Sequence, residues 1–256
     1  MSDYSQDPAT SAPPVQPPPM RVVRRPGPAQ PYVTYFMIAT CVLAYLGQTL
    51  TYLPSVGTDW LTLYGMKINA YIIQGQVWRL VTPMWLHGSI LHIAFNMYAL
   101  YIFGANLERY YGHGRFLALY MLSGFAGNVV SFLMSANNSL GSSTAIFGLI
   151  AAQGVFLYQN RHLIRNARGM LMNTLAIAAI NLVLGLSPGI DNWGHLGGLL
   201  GGLAFAWSAG PVWLVQSDLS GVRLVNQRSR ERVILVGTGV FLLFAAIAAF
   251  KIITGA

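Results

Sequence analysis

The chain has 256 residues, of which 54% are hydrophobic and only 9% are charged, and its mean hydropathy is +0.51. A water-soluble core of this length has no room for so much apolar surface, so the composition excludes a soluble globular protein and predicts one whose solvent is lipid. The net charge of +8 is carried outside the apolar runs and speaks to membrane orientation; no soluble basic face with aromatic platforms suggests a nucleic-acid binder.

Residues 1–30 contain eight prolines (Pro8, Pro13, Pro14, Pro17, Pro18, Pro19, Pro26, Pro28) and no apolar core, which predicts a disordered tail rather than a cleavable signal peptide. Apolar runs of roughly 17 to 25 residues mark seven spans. They cover Tyr32 to Leu53, Ser89 to Leu107, Phe116 to Ser135, Ser143 to Tyr158, Met170 to Leu186, Gly194 to Leu214 and Val233 to Thr254. Each is expected to be helical, because lipid leaves an open sheet edge unsatisfied. The fold class is therefore an all-α polytopic membrane protein of seven spans, six within residues 31–214, a basic loop over 215–232 and a seventh span within 233–256. Between the first two spans, Pro54 to Gly88 carries Trp60, Trp78 and Trp85 and suits a structure lying at headgroup level. Cys41, the single cysteine, offers neither a disulfide nor a metal site.

Cations set the orientation. With the N-terminus cytoplasmic, Arg21, Arg24, Arg25, Arg109, Arg115, Arg161, Arg165, Arg168, Arg223, Arg228, Arg230 and Arg232 fall inside, and only Lys67, Arg79 and Lys251 fall outside. Spans two, four and six then all start at the outer face. The polar residues follow that parity: His87, His92 and Asn96 gather at the start of span two, Ser143 opens span four, and His195 stands at the start of span six. Polar groups inside a membrane are expensive, and their convergence from separate helices marks function.

His92 and Asn96, four apart, share a helix face and can both donate hydrogen bonds into one cavity. Ser143 follows a glycine and begins a helix, where free N–H groups and the helix dipole favour a negative oxygen. His195 can accept its proton and return it to a leaving amine. Singly, each residue has a plainer use, His195 as a helix-end histidine, Asn96 as interhelical glue and Ser143 as a packing residue. Together on one face they favour chemistry. Gly194, Gly198 and Gly202 form one small-residue stripe, Gly197 and Gly201 a second, and either lets a neighbouring backbone come close. With Gly148 and Ala152 of span four as that neighbour, Ser143 comes within reach of His195, and Phe147 is expected near its ring. Asp191, four residues before His195, reads as a loop residue, so no acidic third member is expected.

These motifs resemble the rhomboid family of intramembrane serine proteases. The resemblance runs from about Tyr32 to Trp213 and rests on WRLVTPMWLHGSILHIAFN, FGANLERYYGHGRFLALYMLSG, GSSTAIFG and NWGHLGGLLGG, in the family's order. It implies Ser143 as nucleophile, His195 as its base, and an oxyanion hole formed by His92, Asn96 and the backbone N–H of Ser143 and Ser142. Arg79 and His87 match positions that brace the first loop, and Glu108 matches a glutamate at the inner end of span two. The resemblance also implies a six-helix rhomboid bundle with span seven as an added C-terminal helix, a cavity, cleavage site and transmembrane substrates at the outer face, and no metal or cofactor. Where the family has Gly after the nucleophile this chain has Thr144, which is expected in ordinary first-turn helical geometry. Its hydroxyl would bond a carbonyl three or four residues back, and its bulk would narrow the substrate pocket.

The alternative on the same scaffold is a non-catalytic binder or quality-control factor for membrane proteins. A transporter would need charged or broken helices at mid-depth, and a zinc protease would need a different histidine spacing from HGSILH, with a Glu beside the first His. The absence of an organelle signal and the Arg-rich inner segments suit a bacterial plasma membrane.

Overall fold

The computed structural model describes residues 30–218 and 221–255, so the Pro-rich tail lies outside the described residues. The first span is α1 (Tyr32–Leu50). The segment after it holds a two-residue hairpin, β1 (Tyr52–Leu53) with β2 (Thr58–Asp59), then α2 (Trp60–Gly65) and α3 (Asn69–Ile73). Two 3-10 turns, Val77–Leu80 and Thr82–Trp85, complete it. Asp59 caps α2 by accepting from Thr62 N at 2.8 Å, a standard use of a short acid ahead of a helix.

The second span starts as α4 (Ile90–Ala99) behind the N-cap Ser89, widens into a π turn at Leu100–Gly104 and ends as α5 (Ala105–Tyr111). Gly112, at φ 75°, reverses the chain into α6 (His113–Met134). There follow α7 (Ser143–Gln159), α8 (Ala167–Leu184), α9 (Asn192–Ala209) and α10 (Arg230–Thr254). Among the described residues five helices are long and apolar enough to cross a membrane by length and composition: α1, the second span, α6, α8 and α10. The other two, α7 and α9, lie in the interior of the bundle.

Two sequence expectations are corrected. Span six was extended to Leu214, but α9 stops at Ala209 because Gly210 and Pro211 follow, and proline has no N–H to continue the ladder. The basic loop contains strand structure: β3 (Trp213–Asp218) pairs antiparallel with β4 (Gly221–Asn226), from Trp213 opposite Asn226 inward. A two-stranded ribbon has open edges, which water can satisfy outside the bilayer but lipid cannot.

The centre of the fold is the packing of α6, α7 and α9, and glycine makes it possible. A Cβ added to Gly198 would lie 1.9 Å from Thr144 O, and one on Gly202 would lie 2.4 Å from Gly148 Cα. That stripe of α9 therefore meets the backbone of α7. The second stripe meets α6, where a Cβ on Gly197 would lie 2.5 Å from Val130 Cβ and one on Gly201 would lie 2.4 Å from Ala126 Cβ. Without Cβ atoms the backbones approach closely, which is how helices gain packing energy where lipid offers no hydrophobic drive.

Candidate active site

Ser143 opens α7 and His195 sits one turn into α9, so the α7–α9 contact decides their separation. His195 Nε2 and Ser143 Oγ are 2.9 Å apart, and the His195 ring stacks on Phe147 at 4.3 Å between centroids with a 14° tilt. The imidazole is thus held by a ring face on one side and bonded to the hydroxyl at its tip. A serine and a neutral imidazole at this distance can pass a proton between them. Among the described residues His195 Nδ1 has no hydrogen-bond partner, so no acid orients the ring from behind.

Asp191 does something the sequence reading missed. Its Oδ1 accepts from Gly194 N at 3.0 Å, capping α9, and its Oδ2 accepts from Ser131 Oγ on α6. The helix that carries His195 is thereby capped and tied to α6 by one carboxylate. An Asp directly before a Gly-rich helix is a recognisable capping signal, but the tie to Ser131 is a long-range contact that no local pattern announces.

The chain ahead of Ser143 is anchored from the first extramembrane segment. Gly141 N donates to Pro83 O at 2.9 Å, and Ser142 Oγ lies 3.3 Å from His87 Nε2. Gly141 is required twice over: its φ is 130°, and a Cβ there would sit 2.8 Å from His92 Nε2. His92 therefore stands against the turn that leads to Ser143. Asn96 lies one turn further along α4 and is buried, with Nδ2 donating to His92 O at 3.1 Å. Its amide is turned back on its own helix, and its second N–H remains for other partners.

His87 itself is almost fully buried, its backbone gripped by Gln48 through Nε2 to His87 O at 3.2 Å and His87 N to Oε1 at 3.0 Å. Burial, with the neighbouring His92 adding, pushes its pKa down to about 4, so it is neutral near pH 7. Arg79 braces the same segment by donating to Met66 O at 2.7 Å and Leu63 O at 2.8 Å. Lys67 was assigned to the external loop, and it is buried there: its backbone pairs with Ser139, and Nζ donates to Ser135 O and Asn137 O at 3.0 and 2.8 Å. The first segment and the loop ahead of Ser143 are thus clipped together.

Glu108 is at the far end of the molecule. It is fully buried; its Oε2 accepts from Thr34 N and Thr34 Oγ1 and its Oε1 accepts from Val33 N, capping α1, while His113 Nδ1 pairs with the same Oε1. It is a support for α1 and has no contact with Ser143 or His195.

Thr144 corrects the expectation. It is helical, with no positive φ, but its Oγ1 has no partner. Its side chain is buried in the notch left by two glycines: a Cβ on Gly127 would lie 2.6 Å from Thr144 Cβ, and one on Gly194 would lie 3.1 Å from Thr144 Cγ2. Its side chain fills the seam between α6 and α9.

Fold and site together define a helical polytopic membrane protein with a paired serine and histidine near one end of the bundle. A family model described as the Rhomboid domain matches residues 74–211. The rhomboid protease GluP of Bacillus subtilis (strain 168) is 38% identical over 198 residues, which are 77% of this chain and 38% of that protein. RHOMBOID-like protein 1 of Arabidopsis thaliana is 35% identical over 202 residues, 76% of this chain and 50% of that protein. RHOMBOID-like protein 6, mitochondrial, of the same plant is 37% identical over 166 residues, 64% of this chain and 51% of that protein. The chain belongs to the rhomboid family. It spans about two fifths to half the length of these relatives.

Proposed function

We propose that this chain is a serine endopeptidase that hydrolyses a peptide bond in or near a transmembrane segment of another membrane protein. The observation that carries this reading is the 2.9 Å contact between His195 Nε2 and Ser143 Oγ, which relates two residues more than fifty positions apart. His195, neutral, takes the Ser143 proton as Oγ attacks the scissile carbonyl. The C–N bond breaks with the proton passing from His195 to the leaving amine, and water then hydrolyses the acyl-serine by the same proton path in reverse. The oxyanion would be met by His92, by the free amide hydrogen of Asn96 and by the N–H groups of Ser142 and Ser143 at the start of α7. Arg79 and His87 would act on the reaction only through the loop they brace.

The lipid bilayer is the solvent for the apolar helices, and the twelve-to-three partition of cations favours a cytoplasmic N-terminus with the serine near the outer face. A bacterial plasma membrane suits that arrangement. We assign the rhomboid core to residues 31–214 and the seventh helix to 233–256. Cysteines placed at Ser139 and Ser229 should differ, with an impermeant thiol reagent reaching the first from outside and failing to reach the second.

The decisive measurement is cleavage of a generic type I membrane substrate by the purified protein, alongside labelling by a serine-directed phosphonate. Cleavage and labelling lost in Ser143→Ala are expected. A wild-type protein that binds the substrate but neither labels nor cleaves would assign the scaffold to a non-catalytic binder of membrane proteins.

A further inference from the structure

Arg115, Arg228 and Arg230, at the end of the molecule opposite Ser143, have no carboxylate partner among the described residues. Glu108 pairs with His113, and Glu231, in the same first turn of α10 as Arg230 and Arg232, makes no salt bridge with Arg230. Arg115 donates to Arg228 O at 3.1 Å, and its Nε is buried with no partner. Guanidinium groups crowded without anions raise the free energy of the fold unless something negative joins them.

A cavity of about 990 Å³ opens at this point between α6 and α10. Arg115 and Arg230 stand in its wall together with His113, and the remaining wall includes Ala118, Leu122 and Gly237. Gly112 and Gly114 leave open space at the start of α6, whose first turn no side chain caps. The apolar half runs along α10, only 17% of whose apolar window is buried, so it is continuous with the lipid-facing surface. The contact of Phe125 with Phe241, 5.2 Å between centroids, packs α6 against α10 beside it.

We propose that this cavity binds one anionic phospholipid, with its phosphate held by Arg115 and Arg230 and an acyl chain lying in the groove between α6 and α10. The volume is at the upper end of what single-ligand sites occupy, about 300 to 1,000 Å³, and accommodates a headgroup with the upper part of one chain. A free inorganic anion would leave the apolar half of the cavity unfilled, and a choline headgroup would bring a cation among the arginines. Basic pockets between helices at a membrane surface recognise anionic headgroups by this combination. The site is remote from the serine, and its existence does not depend on catalysis.

The test uses the full chain in mild detergent after delipidation, followed by native mass spectrometry and by the thermal unfolding midpoint. Phosphatidylglycerol, phosphatidylcholine and inorganic phosphate are titrated in parallel. One phosphatidylglycerol should bind per chain and raise the midpoint, with phosphatidylcholine at least about tenfold weaker. Arg115→Gln with Arg230→Gln should weaken phosphatidylglycerol about 30-fold, given roughly one surface-charge increment per arginine. Gly237→Leu, which fills the groove beside Leu122, should weaken the lipid as well. Arg230→Gln alone removes an exposed side chain, so it keeps the test open if the double variant does not fold. Equal binding of phosphatidylcholine would overturn the proposal in favour of a nonspecific lipid annulus. Inorganic phosphate matching the lipid would reduce the site to a free-anion site, and unchanged affinity in Arg230→Gln and Gly237→Leu would remove it.

Discussion

The interior helices and the lipid-facing helices of this protein are built by different rules. Of the apolar window of α6, 61% is buried inside the protein, against 11% for α8 and 17% for α10. Where lipid is the neighbour, any apolar side chain serves and glycine is incidental, as at Gly239 of α10, where an added Cβ meets nothing within 4 Å. Where another backbone is the neighbour, glycine is obligatory, as at Gly198. The proposed nucleophile and base both sit on interior helices. Their 2.9 Å contact therefore rests on backbone packing that tolerates no added atoms.

The largest expected effect tests that contrast directly. Gly198→Ala places a Cβ 1.9 Å from Thr144 O, so α7 and α9 must separate, at a cost of about 3 kcal/mol or more. Phosphonate labelling of Ser143 and the unfolding midpoint should both collapse, while Gly239→Ala leaves both near wild type. Similar midpoints for the two variants would show that the interior is as pliable as the periphery.

Next in size is pH. His195 must be neutral to accept the Ser143 proton, so cleavage should fall on the acid side as the imidazole is protonated and level off toward neutral pH. Below the pH at which it takes up a proton, kcat/KM should fall about tenfold per pH unit. His87, whose pKa is held down at about 4, is neutral near pH 7. A rate that declines steadily from acid to neutral pH would contradict a histidine base.

Asp191 ranks third and separates a cap from a catalytic acid. Asp191→Ala removes the bond to Gly194 N and the tie to Ser131. It should cost about 0.5 to 2 kcal/mol in stability and lower kcat by about tenfold through displacement of His195. Asp191→Asn keeps an equally good N-cap and should stay within about threefold of wild type in kcat. Were Asp191 the third member of a triad, the Asn variant would lose on the order of 10⁴ in kcat.

The same division explains what could be read in advance. The lipid-facing α1, α8 and α10, and α6 of the interior with them, announce themselves by length and apolarity and are visible in the sequence to within a few residues. Apolar runs mark α7 and α9 too, although in the structure the pair falls short of that criterion, and glycine spacing with polar residues gathered at one end is what sets them apart in the sequence. The rest depended on partners distant in sequence. Lys67 looks like an ordinary loop cation until Ser135, Asn137 and Ser139 come to it, and Trp213 reads as the tail of a span until Gly210 and Pro211 stop α9 and Asn226 pairs with it.

Thr144 carries the smallest effect and the sharpest distinction between the two sets of rules. The sequence suggested a residue beside the nucleophile that shapes the pocket, but the side chain lies in the seam against Gly127 and Gly194 with its hydroxyl unpaired. Its methyl is therefore the part that matters to the fold. Thr144→Val keeps the shape and deletes a buried oxygen that bonds nothing, so stability should be unchanged or rise by up to about 1 kcal/mol. Thr144→Gly empties the notch between α6 and α9 and should cost about 1 to 2 kcal/mol, through the lost methyl contacts and the helix penalty of glycine. Unfolding midpoints of the two variants should move apart, with kcat on a small and a bulky substrate altered in the same ratio for each. If Thr144→Gly instead speeds cleavage of the bulky substrate selectively, the residue faces the substrate after all, and the seam is not where its side chain acts.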